Sequence, residues 1–121
     1  MSKWNINPEG VGGVLETVAE DNRQLGKALS ESNFTSVVSG LDWGAPITSV
    51  VPMALGNLFT DQEQNLKTIT NTIAAGTLGV LNATLAYNRG HFEMAATFQS
   101  KMSETAEDGK FRWWEQHGYH V

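Results

Sequence analysis

Leu41-Asp42-Trp43-Gly44-Ala45-Pro46 divides the chain into two long runs, each with apolar residues at helical spacing. Glycine tolerates positive φ and suits the end of a helix. Pro46 pushes Ala45 out of the α region and cannot extend a preceding helix. The Trp43 indole is an apolar body large enough to seal the open tip of a hairpin. These residues predict two antiparallel helices joined at 42–47, with Trp43 and Gly44 as the turn. An ordinary loop around a buried Trp is the alternative.

The first run opens on good start signals. Asn7 suits the N-cap, Pro8 the first helical position and Glu9 the positive end of the helix dipole. Val11, Leu15, Val18, Asn22, Leu25 and Leu29 then alternate four and three residues apart, the spacing of a bundle seam. Asn22 lies on that seam, where an amide either fixes register and partner or points to solvent. Gly10, Gly12 and Gly13 form no phosphate loop, because no strand precedes them and no Lys-Ser/Thr follows. The predicted helix covers 8–41.

Charge almost stops after Glu31. Between 33 and 60 the only charged side chain is Asp42, among Phe34, Val37, Trp43, Val51, Leu58 and other apolar residues. Such a stretch is either a tight core at one end of the chain or an interface with another chain. Its smallness favours the interface, since a two-helix hairpin within 121 residues has little interior of its own. The second helix is predicted over 49–88, with Leu66, Ile69 and Ile73 as interface candidates beside Val11, Leu15, Val18, Asn22 and Leu25. Gly56 is a candidate kink.

Residues 68–88 carry no charge and are long enough to cross a bilayer, yet hold five Thr and three Asn. That polarity favours a bundle helix, in which Ala74, Ala75, Gly76 and Gly79 permit close approach of a neighbour. A third helical segment is predicted over 91–104, and a break at Asp108-Gly109. The chain then divides into a hairpin region, 1–104, and an aromatic tail, 105–121, with Phe111, Trp113, Trp114 and Tyr119. Rings at this density should dock, on the chain's own bundle or elsewhere.

Chemistry is thinly represented. His117 and His120 with Glu115 could seed a metal site, but Gly118 lies between the histidines and spacing supplies no closed ligand set. No nucleophile elbow is present, and Glu104/Asp108 sit on a polar face. A net charge of −5 without a basic cluster argues against nucleic acid. Cysteine is absent, so disulfides and thiolate metal sites are excluded. The opening residues lack a charged segment leading into an apolar core, so no cleavable secretory signal is expected. The residues predict no enzyme and no cofactor.

Three stretches resemble the WXG-type (ESAT-like) superfamily of small helical-hairpin proteins exported by type VII secretion. They are the Trp43-Gly44 turn, the start Trp4-Asn5-Ile6-Asn7-Pro8-Glu9-Gly10-Val11, and the segment Ala86-Tyr87-Asn88-Arg89-Gly90-His91-Phe92-Glu93-Met94-Ala95-Ala96. The start matches the W-x-I-x-P-x-G-V pattern of actinobacterial members. Two departures stand out: Gly44 follows Trp43 directly, and His91 stands four after Tyr87 where the family's export signal has an acid. Glu93 is the nearest acid to Tyr87, and Phe111 with Glu115 repeats the aromatic–acid spacing. The resemblance implies an all-α hairpin, completed to a four-helix bundle by dimerisation, with a short C-terminal helical extension. It implies a secreted, or pre-export cytoplasmic, protein acting through protein–protein contacts. Its partners would be itself or a related small helical protein, a larger secreted toxin and the secretion ATPase. A different class remains: a membrane-interacting protein using residues 68–88 and the aromatic tail.

Overall fold

The computed structural model describes residues 5–41, 43, 46 and 49–119. Among them the chain is all-α, with α1 at Pro8–Ala28, α2 at Glu31–Gly40, α3 at Val50–Asn88, α4 at Phe92–Asp108 and α5 at Arg112–His117.

The start of α1 is built as its residues dictate. The Asn7 side chain accepts hydrogen bonds from the backbone N–H groups of Glu9 and Gly10, at 3.1 and 3.2 Å. Pro8 follows in the first turn with Glu9, and Lys27 lies in the last turn. Asn7→Ala is expected to lower the free energy of opening this first turn by about 1 kcal/mol. Faster amide hydrogen exchange at Val11 and Gly12, restored by Asn7→Ser, would register it.

A single first helix over 8–41 is not what forms. The chain breaks at Leu29-Ser30, where Ser30 is extended at φ −67° and ψ 145°. Asn33 closes the break by donating from Nδ2 to the carbonyls of Lys27 (2.8 Å) and Ala28 (3.3 Å), the open end of α1. Short polar side chains compete with helix hydrogen bonds in this way, and Ser30, Ser32 and Asn33 are clustered here.

The hairpin itself is present. Helices α1 and α2 run antiparallel to α3, whose 39 residues continue through Gly56 without interruption. Val11, Val14 and Leu15 line a cleft with Val80, Ala19 and Asn22 with Ala74 and Leu78, and Leu29 with Leu66. At the far end the rings of Phe34 and Phe59 lie 4.5 Å apart. This seam stays open: neither α1 nor α2 contains a buried residue.

The closed core lies elsewhere, at the C-terminal half of α3. Helix α3 ends in a Schellman turn: Gly90 takes φ +78°, the His91 N–H reaches Ala86 O at 2.8 Å and the Gly90 N–H reaches Tyr87 O at 3.0 Å. Helix α4 then returns along α3. A Cβ on Gly79 would stand 2.5 Å from the Met102 Cβ, so only glycine allows this approach. The close neighbour expected beside Ala75 and Gly79 is thus α4 of the same chain. The third segment extends past 104 to Asp108, where Gly109 at φ +68° ends it. The break expected at Asp108-Gly109 is there, and α5 folds back onto α3 and α4.

Candidate interaction surface

Two ends of unequal finish follow from this arrangement. At the proximal end, Ala86, Ala95, Phe98 and Trp114 form the buried cluster, packed by Leu78, Met102, Phe111, Trp113 and Tyr119. Phe98 stacks on Trp114 at 5.7 Å and 17°, and meets Trp113 and Tyr119 at 5.8 and 5.7 Å. The aromatic tail therefore docks on the chain's own bundle.

Polar groups inside this cluster are matched. The Trp114 indole N–H donates to Thr105 Oγ1 at 2.9 Å. Asn82, fully buried, donates from Nδ2 to Leu78 O at 2.9 Å, and its Oδ1 accepts the backbone N–H of Tyr119. Tyr119 is also held by the His91 ring, with Nδ1 3.0 Å from its hydroxyl, and by the Arg89 guanidinium 4.4 Å from its ring centroid. Sequence reasoning did not single out Asn82. Its signal is a polar residue between Leu78 and Ala86 on the α3 face that meets α4.

The distal end is unfinished. Val37, Val50, Val51, Met53 and Leu58 expose between half and seven-tenths of their surface. Trp43 is 81% exposed, so it does not seal the hairpin tip. Gly40 and Val50, the facing ends of α2 and α3, are exposed as well. Gly44, the other turn residue, lies outside the described residues. The cause of the asymmetry is the length of α4. It covers α3 from the Gly90 turn back to Asn71, which touches Gly109, and goes no further.

The interface candidates divide accordingly. Val11, Leu15, Val18, Asn22 and Leu25 form a half-buried row along α1, and Leu66 and Ile73 are half-buried on α3. Ile69 is open, at 46% exposure.

The candidate signal residues sit around the proximal core. Tyr87 is half-buried and meets Phe92 edge-on at 5.4 Å. The Gly90 turn separates Tyr87 from His91, so the two do not lie one turn apart on a single helix. Glu93 is exposed in the first turn of α4. Phe111 is packed against the core, whereas Glu115 on α5 is exposed.

Ionisable groups are peripheral. The Arg23 guanidinium and the Gln24 amide hold the Glu20 carboxyl below the usual carboxylate range, and Lys67 does the same for Glu63. Asp108 is lowered by the backbone N–H of Lys110. These are solvated pairs that fix little. Among the described residues the buried polar side chains are Asn82, Thr84 and Thr105, none of which is ionisable in the physiological range. Among the described residues no group of His, Asp and Glu is arranged to hold a metal ion. His117 stacks on Trp113 at 4.8 Å, and His120 lies outside the described residues. The cleft of about 580 Å³ between α1, α2 and α3 is open, with Phe34, Phe59 and Leu66 on its walls. No helix of the described residues is long and apolar enough to cross a membrane.

Comparison with curated proteins and with solved structures returns no match. Residues 1–111 match the model of DUF6507, a family of unknown function. The helical chain with the finished aromatic end and the bare distal end therefore belongs to DUF6507.

Proposed function

We propose that the protein is a non-enzymatic substrate, or a co-secretion and targeting partner, of a type VII secretion system, working through protein–protein contacts. The observation that carries the reading is the uncovered apolar end, Val37, Trp43, Val50, Val51, Met53 and Leu58, on a stretch with almost no charge. Apolar patches of this kind mark surfaces that meet another macromolecule. The hairpin of α1, α2 and α3 supports it, as do the WXG-like start at residues 4–11 and the segment around Tyr87. A larger secreted toxin and the secretion ATPase are the partners that fit this reading, beside small helical proteins.

Export from a host that carries such a system tests it. The protein is expected in the medium of that host and not in that of a strain lacking the secretion ATPase. Tyr87→Ala and Phe111→Ala, made separately, are each compared with the parent. A several-fold drop in exported protein for one of them, at unchanged cellular level, locates the signal. Equal export from the ATPase-deficient strain would refute the function, and no effect of either substitution would refute the signal assignment.

A further inference from the structure

We propose that the N-terminal arm of this chain, residues 1–4, seats the Trp4 indole in an apolar hollow between α1, α3 and α4, strapping the start of α1 to the proximal core. Trp4 lies outside the described residues; Ile6, two positions on, is described and marks the place. Two hollows meet at Ile6 and Val80. In one, Val11, Val14 and Leu15 of α1 face Val80. In the other, of about 290 Å³, Ala83 and Tyr87 of α3 face Ala95 and Met102 of α4. Val80, Ala83 and Tyr87 share one side of α3, as residues three and four apart on a helix do. No charged side chain lines either hollow, and Val14 and Val80 remain 63% and 41% exposed. The gap between α1 and α4 is thus apolar and incompletely filled.

Reach, tether and chemistry favour the chain's own arm as the occupant. The chain enters α1 extended, with Asn7 at φ −91° and ψ 103°. Continued through the arm, that conformation puts Trp4 on the side of Ile6 and Lys3 on the opposite side. Two residues span at most about 7 Å, so the indole cannot stray far from the hollow that Ile6 lines. A tether this short holds the indole at an effective concentration on the order of millimolar, which a free partner would have to exceed. Tryptophan is a large apolar body with one donor, and the Gln99 amide in the lining of the hollow offers an acceptor. Helix α1 gains from such a strap, because it has no buried residue and its first turns carry Gly10, Gly12 and Gly13. The inference goes beyond the secretion reading and does not depend on it.

Fluorine NMR of the whole chain labelled with fluorotryptophan tests it. The four tryptophans give four resonances, assigned by single substitution to phenylalanine. A soluble gadolinium chelate should broaden Trp43, which is 81% exposed, several-fold more than Trp4 or the 4% exposed Trp114. Val80→Glu places a carboxylate in the hollow and should raise the broadening of Trp4 several-fold, to the level of Trp43. Val80 is 41% exposed, and Trp114 reports whether the proximal core stays intact, so release of the arm is told apart from loss of the fold. If Trp114 is exposed as well, Val14→Glu on the α1 wall, at a side chain 63% exposed, is read in its place. Protection of Trp4 that is independent of protein concentration and lost on introducing the carboxylate upholds the proposal. Trp4 as accessible as Trp43 in the parent overturns it, as does protection that the carboxylate leaves unchanged. Protection that grows with protein concentration overturns it in favour of arms exchanged between copies. Trp4 accessible in buffer but shielded on adding anionic lipid vesicles overturns it in favour of a membrane anchor.

Discussion

Phe98→Ala will remove about 3–5 kcal/mol of stability, the cost of emptying a fully buried aromatic position. Phe98 is 0% exposed and is the one ring in contact with Trp113, Trp114 and Tyr119 together. Domains of this size are stable by roughly 5–15 kcal/mol, so a loss of that order consumes much of the total. Urea unfolding followed by tryptophan emission measures it, since two of the indoles sit on this ring. Phe98→Leu fills most of the space and should lose much less. A loss below about 1 kcal/mol for Phe98→Ala would mean that α5 does not hold the position described.

Trp114 yields the second large effect, and its two contributions can be separated. Trp114→Ala deletes a side chain that is 4% exposed and is expected to cost about 3–5 kcal/mol. Trp114→Phe keeps a ring against Phe98 but removes the donor to Thr105 Oγ1, leaving a loss of about 1–3 kcal/mol. Thr105→Val removes the acceptor and strands the indole N–H, so it should cost a similar amount. The double variant, Trp114→Phe with Thr105→Val, should lose clearly less than the two singles together. Strict additivity in equilibrium unfolding would show that the hydrogen bond is not made.

Residues 5–29 were legible because local chemistry decides them. Asn7, Pro8 and Glu9 act within one turn, and the four-and-three spacing from Val11 to Leu29 needs only a neighbouring helix. Ala75 and Gly79 were likewise readable as a close-approach face, although not which helix would approach. The break at Leu29-Ser30 was within reach, since Ser30, Ser32 and Asn33 are cap-forming residues. Apolar residues resuming at Phe34, five after Leu29, hid it.

Other features depend on distance along the chain that spacing does not convey. Trp43 sits beside a proline and a glycine, a setting that suggests a sealed corner. Whether a ring there is covered depends on how far α4 extends, and α4 stops at Asp108, level with Asn71 of α3. The tail was readable as needing a surface, not as resting on Phe98. Asn82 was unreadable for the same reason, because its partner Tyr119 lies 37 residues away. Of the candidate surface, the uncharged stretch was visible at once, and its bareness became visible only with the helices in place.

The unbroken course of α3 has a mechanical meaning. One helix serves as the spine of two neighbourhoods, a firm one bolted down by aromatic rings and a looser one flanked on one side by the end of α1 and by α2. Local opening is therefore expected to begin with α2, swinging away at the Ser30 joint without disturbing the firm half. A partner arriving at α2 would meet a surface able to adjust its shape, carried on an anchor that does not have to yield.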